Sequence, residues 1–234
     1  MPVKLKLLEA VSEQFFLPDK IAVTALLWGV FFVIAPIPQL VISFETNLLM
    51  LLSGFIGPVC GIIAMLAVFK YAGKTDALTL FKPNADDLIY AVAGTVIIII
   101  SSGIATALWR IVLLTFSIPF AENQYLMTLA GNCSRSEFLL LFALVVLVVP
   151  VAEELLFRRV LFAWLLRWGN AVAWFGTAAI FAVVHLFLAG LPGLFVIGLG
   201  FQWLYIRRKN LSVSIVSHGL LNACALLSAL LIKG

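Results

Sequence analysis

Residues 136–157 read SEFLLLFALVVLVVPVAEELLF, an apolar run that carries Pro150 and ends in two adjacent glutamates and three further apolar residues. About 20 apolar residues in a helix are enough to cross the ~30 Å hydrocarbon core of a bilayer. The rest of the chain is similar, because 64% of its 234 residues are hydrophobic, 11% are charged and the mean hydropathy is +1.17. Soluble domains carry about 25% charged residues. The composition therefore predicts a membrane protein and excludes a soluble globular domain.

Further apolar runs lie on both sides of this stretch. With it they predict about seven transmembrane helices, near residues 21–42, 48–69, 88–109, 136–157, 170–188, 191–206 and 211–232. Period-2 alternation is absent, so we expect an all-α polytopic helical bundle with residues 1–234 in a single integral membrane domain. The first residues predict an N-terminal interfacial helix, with Leu7, Leu8, Val11 and Phe15 on one face.

The basic residues segregate between the two faces of this seven-helix topology. Only Arg110, Arg135 and Lys233 lie on the C-terminal side. The positive-inside rule then predicts a cytoplasmic N-terminus and an external C-terminus, and favours a bacterial inner membrane over an organelle membrane. Because the cations lie at helix ends, the lipid bilayer and not nucleic acid is the expected partner, and the oligomeric state is left open. The opposite face carries Lys4, Lys6, Lys20, Lys70, Lys74, Lys82, Arg158, Arg159, Arg167, Arg207, Arg208 and Lys209.

The adjacent carboxylates Glu153 and Glu154 are costly inside a bilayer, where one charged side chain costs ~2.5 to 3.5 kcal/mol on insertion scales. Glu154 is four residues before Arg158, a spacing that predicts an ion pair on one helix face. Glu153 is rotated away by about 100° and has no such local partner. One interpretation is that these charges flank the cytoplasmic end of the helix. Because the apolar sequence continues up to Arg167, we instead expect a long helix, kinked at Pro150, that buries Glu153.

Both histidines of the chain fall within predicted spans. His218 and Asn222 are one turn apart and share a helix face. We expect Glu153 and His185 to polarise a water molecule, while His218 and Asn222 donate hydrogen bonds to the oxyanion that forms when the water attacks a carbonyl. Because His218 is predicted ~10 Å and His185 ~22 Å from the cytoplasmic boundary, convergence needs a tilted or a long fourth helix.

A metal site is the competing interpretation of the same residues. Glu153, His185 and His218 would supply the one-carboxylate, two-histidine ligand set that catalytic zinc accepts. The chain lacks the His-Glu-x-x-His spacing that places two histidines on one helix face. The sequence leaves both a cofactor-free and a zinc-dependent mechanism open.

At these positions the sequence resembles the CaaX protease and bacteriocin-processing (CPBP, or ABI) family of intramembrane proteases, related to the type II CaaX prenyl endopeptidases. The three family motifs are Glu-Glu-x-x-x-Arg, Phe-x-x-x-His and His-x-x-x-Asn. They occur here in that order, over roughly residues 135–230, as Glu153-Glu154-x-x-x-Arg158, Phe181-x-x-x-His185 and His218-x-x-x-Asn222.

The resemblance implies that residues 135–230 are the catalytic helices of a glutamate-type protease. It implies that Glu153 and His185 activate water, that His218 and Asn222 form the oxyanion hole, and that Glu154 and Arg158 support the site. Phe181 belongs to the second motif and is expected to have a supporting role as well. The expected substrate is a membrane-associated protein or peptide, either lipidated or transmembrane, and the resemblance leaves CaaX cleavage and metal dependence open.

Two other classes of membrane protein fit the same polar residues. A non-enzymatic protein for bacteriocin immunity or partner binding would use the cluster for recognition, and would keep its activity in a Glu153→Ala variant. A proton-coupled transporter would use the glutamates and histidines as a relay. Against the transporter, the charges cluster in one half of the chain and no repeat is evident.

Overall fold

The computed structural model describes residues 19–31, 47–71, 83–120 and 133–233 of the chain. These residues form helices and no strand, which confirms the all-α prediction. The predicted interfacial helix lies outside the described residues. In chain order the helices are α1 (Asp19–Gly29), α2 (Asn47–Tyr71), α3 (Ala85–Thr115), α4 (Arg135–Trp168), α5 (Asn170–Val184), α6 (Leu191–Arg208) and α7 (Leu211–Lys233).

Five of these helices, α2, α3, α4, α6 and α7, contain apolar segments long enough to cross a membrane, so the chain is an integral membrane protein. The apolar parts of α1 and α5 are shorter. Of the seven predicted spans, five are therefore shown among the described residues. A helix with the 15 residues of α5 is roughly 22 Å long, less than the hydrocarbon core. The described part of the first predicted span ends at residue 31.

Helix α4 is the longest of the described helices and runs without interruption for 34 residues. A capping box starts it, because the Ser134 hydroxyl accepts from the Glu137 amide while the Glu137 carboxylate accepts from the Ser134 amide. It ends at Gly169, which has a φ of 105°. Since α4 continues past Arg158 to Trp168, the expectation of a long fourth helix is confirmed.

The backbone of α4 changes register twice. It adopts a π-helix over Ala143–Val148 and again over Leu155–Leu161, and Pro150 lies between these two stretches. π-Bulges occur often at functional sites, since the extra residue per turn redirects the side chains beyond it. The first π stretch directly precedes the segment that carries Pro150, and the kink predicted at Pro150 stays a prediction.

The bundle is organised around α4. Helices α1 and α2 pack on it, α5 follows it, and α7 packs against both α4 and α3, while α6 lies between α3 and α5. Helices α5 and α6 approach closely at Gly198, where an added Cβ would lie 3.0 Å from the Cα of Ala178. The core of the bundle includes Leu155, Phe157, Phe162, Phe181, Phe201 and Tyr205.

A polar network joins the start of α3 to the link between α6 and α7. The carboxylate of Asp87 accepts from Arg208 Nε at 2.7 Å and from Asn210 Nδ2 at 3.0 Å. At the other end of α3, Trp109 Nε1 donates to the carbonyl of Leu188 at 2.9 Å. These contacts place the two ends of α3 against opposite ends of α6.

Candidate active site

Glu154 and Arg158 form an ion pair in the interior of the bundle. Glu154 Oε2 lies 3.1 Å from Arg158 Nε, and both side chains are 0% exposed. The pair predicted from the four-residue spacing is therefore confirmed. The helix also continues ten residues beyond Arg158, to Trp168, so these charges do not lie at a helix end.

Aromatic rings surround the Arg158 guanidinium. Its Cζ lies 5.8 Å from the ring centre of Phe157, 4.7 Å from that of Phe181 and 5.4 Å from that of Phe201. Nη2 also donates a long hydrogen bond, 3.4 Å, to the carbonyl of Gly198. Ring faces attract a cation, and this attraction is stronger where water is excluded, so helices α4, α5 and α6 jointly hold Arg158 in place.

His218 joins α7 to both glutamates of α4. Its Nδ1 donates to Glu154 Oε1 at 3.0 Å, and its Nε2 lies 3.8 Å from Glu153 Oε2. The imidazole is buried and stacks on the ring of Phe201 at 4.7 Å between centroids. Because a carboxylate accepts the Nδ1 proton, the neutral tautomer has an unprotonated Nε2 that faces Glu153.

Glu153 Oε2 is buried and has no hydrogen-bond partner among the described residues. The Glu153 side chain as a whole is 16% exposed, so it is less buried than the sequence predicted. A partly exposed carboxylate with an oxygen that makes no protein hydrogen bond can bind a water molecule. The geometry therefore leaves Glu153 available to a ligand, unlike Glu154, which is engaged by His218 and Arg158.

His185 is exposed and lies one residue beyond the end of α5, whereas the predicted span continued to residue 188. Helix α5 ends at Val184, and Leu186 has a φ of 51°, the left-handed conformation that terminates many helices. His185 Nδ1 donates to the carbonyl of Phe181 at 2.6 Å, which leaves Nε2 unprotonated in the neutral ring.

Phe181 connects the two histidines. Its ring centroid lies 4.6 Å from the imidazole of His185 and 6.1 Å from that of His218, on the side chain that also packs on Arg158. His185, at the end of α5, thus lies next to the cluster of Glu153, Glu154 and His218, with the Phe181 ring between the two histidines.

Asn222 contacts α4 one turn beyond His218. Its Nδ2 donates to the carbonyl of Val145 at 2.9 Å. Both side chains are directed at α4, as expected from their shared helix face. An asparagine amide has two N–H donors, so this bond leaves one donor for another acceptor.

The proposed zinc ligands do not come together as a metal site. Within the described part of the chain, which includes Glu153, His185 and His218, no three histidine, cysteine, aspartate or glutamate side chains are arranged to hold a metal ion. We derive no step through a metal, and both the cofactor-free and the zinc-dependent mechanism stay predictions.

Three contributors to the site were not found by sequence reasoning. Phe201 stacks on His218 and packs on Arg158, while the carbonyls of Gly198 and Val145 accept hydrogen bonds from Arg158 and Asn222. An aromatic residue in an apolar span carries no signal of this role, and backbone carbonyls have no sequence signature.

The segment that carries this cluster is similar to a known protein family. Residues 135–224 match the family described as type II CAAX prenyl endopeptidase Rce1-like, and the match covers α4 to α6 and the part of α7 that carries His218 and Asn222. Comparisons with curated proteins and with solved structures gave no match. The resemblance that the three motifs indicated is therefore confirmed over residues 135–224, which match the Rce1-like family of type II CAAX prenyl endopeptidases.

Proposed function

We propose that this chain is an intramembrane endopeptidase that hydrolyses a peptide bond in a membrane-associated protein or peptide. The match to a protease family supports a protease, and the observation that carries the proposal is the buried cluster of Glu153, Glu154 and His218 inside the matched segment. The substrate is lipidated or transmembrane, because a site between membrane helices is reached most directly by a chain held in the same bilayer.

Water activation is assigned to Glu153 and His185. Glu153 Oε2 makes no hydrogen bond to the described residues, and His185 keeps an unprotonated Nε2 beside the Phe181 ring. A water molecule bound between such groups loses a proton to the base as its oxygen attacks the scissile carbonyl. The proton then passes to the amine that leaves when the C–N bond breaks.

Stabilisation of the oxyanion is assigned to His218 and Asn222. Asn222 has one N–H left after its bond to Val145. His218 donates to the oxyanion from Nε2 in the ring form that carries a proton on both nitrogens, while Glu154 accepts the Nδ1 proton at 3.0 Å. The pair of Glu154 and Arg158 thus acts on the reaction through the orientation of His218.

The test is cleavage of membrane-anchored peptides, prenylated and unprenylated, by the purified chain in lipid nanodiscs. Glu153→Ala and His218→Ala are expected to abolish cleavage, while Glu137→Ala, in the capping box of the same helix, is the matched control that keeps it. Cleavage retained in both site variants overturns the assignment. A Glu153→Ala variant that keeps its biological activity in cells points to a non-enzymatic role.

Addition of a chelator distinguishes the two chemistries. Cleavage that is indifferent to the chelator supports water activation by Glu153 and His185 without a cofactor. Inhibition that zinc reverses supports a metal-dependent mechanism and contradicts the roles proposed above.

The proposed location is a bacterial inner membrane, with a cytoplasmic N-terminus and an external C-terminus. This topology is supported by the contact of Asp87 with Arg208, which joins the start of α3 to the end of α6 at one end of the bundle. In a background without Cys60, Cys133 and Cys224, Lys209→Cys is expected to react with a thiol reagent only from the cytoplasm and Ser117→Cys only from outside. The reverse pattern would contradict this topology.

A further inference from the structure

Pro150 removes a hydrogen-bond donor at a specific point of the first π stretch of α4. In that stretch the amide of Val149 donates to the carbonyl of Leu144, five residues earlier. The next bond in the same register would join the amide of residue 150 to the carbonyl of Val145. Proline has no N–H, so α4 cannot supply this bond.

A side chain of helix α7 supplies a donor to the Val145 carbonyl instead. Asn222 Nδ2 donates to the Val145 carbonyl at 2.9 Å. One turn earlier, Gly219 lies so close to the next carbonyl that an added Cβ would be 2.6 Å from the oxygen of Val146. Helix α7 therefore packs directly against the Val145 and Val146 carbonyls, close to the position where Pro150 lacks an N–H. Gly219 permits this close approach because it has no side chain.

We propose that Pro150 is a positioning residue for Asn222. Because Pro150 leaves the Val145 carbonyl without a donor from its own helix, the carbonyl holds the Asn222 amide and directs its second N–H away from α4. The contact is partly buried, so loss of the Asn222 donor would leave a partly shielded carbonyl unpaired at a cost in free energy. The effect on catalysis rests on the proposed function, whereas the coupling between Pro150 and Asn222 does not.

The kinetic test compares Pro150→Ala, Asn222→Ala and the double variant. Alanine at position 150 restores an N–H that competes for the Val145 carbonyl and releases Asn222. The kcat of Pro150→Ala is expected to fall by up to about 100-fold, the cost of misplacing a catalytic group by ~1 Å, with KM unchanged. The double variant is expected to match Asn222→Ala. Independent, multiplicative losses overturn the proposal.

Two controls separate the missing donor from other effects of proline. Pro58 lies inside α2, so Pro58→Ala tests the general effect of removing a helical proline and is expected to leave kcat unchanged. Lactic acid incorporated at position 150 creates a backbone ester that lacks both the ring and the N–H. The ester is expected to keep the wild-type kcat, and an ester as slow as Pro150→Ala contradicts the proposal.

A stability cycle tests the coupling without any substrate. Asn222→Ala leaves the Val145 carbonyl unpaired in the wild-type background, whereas in the Pro150→Ala background the restored N–H pairs with it. The fall in Tm caused by Asn222→Ala is therefore expected to be smaller in the Pro150→Ala background. Equal falls overturn the proposal even if cleavage is observed, and unequal falls support it even if no peptide is cleaved.

Discussion

His218 donates from Nδ1 to Glu154 Oε1 across 3.0 Å, and this buried contact joins residues 64 positions apart on α7 and α4. Its consequence is a defined orientation of the imidazole. With Nδ1 held by Glu154, Nε2 faces Glu153 at 3.8 Å, so consecutive glutamates of one helix contact opposite sides of the same ring. Glu154 is in turn held by Arg158, which gives the two acidic residues different environments.

Removal of Arg158 leaves the Glu154 carboxylate buried without its cation. Arg158→Ala is expected to lower the free energy of unfolding by about 3–5 kcal/mol, the usual cost of breaking a buried pair. The double variant Glu154→Leu with Arg158→Met replaces both charges with apolar groups and is expected to recover most of the stability but no cleavage. Denaturant titration in detergent measures the first quantity, and a double variant as active as wild type would contradict the role of Glu154.

A side chain at position 219 would separate α7 from α4. Gly219→Ala places its Cβ against the Val146 carbonyl and is expected to lower both Tm and kcat. Gly103→Ala is the control, because no atom lies within 4 Å of an added Cβ there. That variant is expected to gain roughly 0.5–1 kcal/mol from the lower entropy of alanine in the unfolded chain. Equal effects of the two substitutions would show that α7 is not seated on this carbonyl.

The Phe181 ring contacts His185, His218 and Arg158 at once. Phe181→Leu removes the ring face from the guanidinium and is expected to cost about 2 kcal/mol for a desolvated cation–π contact. It is also expected to lower kcat, because both imidazoles lose a neighbour. Phe175→Leu on the same helix, where the ring is 58% exposed and stacks on Phe195, should leave kcat unchanged.

The contact between Asp87 and Arg208 lies at a bundle end, where salt can screen it. Arg208→Met is expected to lower Tm at low ionic strength and to have a smaller effect at high salt. The neighbouring Arg207→Met, at an exposed position, is the control and should change Tm little under either condition. A loss of Tm that does not depend on salt would indicate that the stem of Arg208, rather than its charge, stabilises the contact.

Local sequence was sufficient for the features that depend on near neighbours along a helix. Apolar runs predicted the long spanning helices, because crossing a bilayer requires only length and hydrophobicity. The four-residue spacing predicted the pair of Glu154 and Arg158. The apolar sequence between Arg159 and Arg167 predicted that α4 continues beyond the glutamates. The three motifs, in their order along the chain, indicated the family that residues 135–224 match.

Contacts between helices were decided only by the tertiary structure. His218 contacts Glu154 as well as Glu153, and Asn222 binds a backbone carbonyl, because the π stretches of α4 set which groups face α7. His185 is exposed because α5 ends one residue before it, at a turn that apolar periodicity does not reveal. Sequence determined which residues are polar within the membrane, whereas helix register and tilt, which depend on packing against distant residues, determined which of them meet.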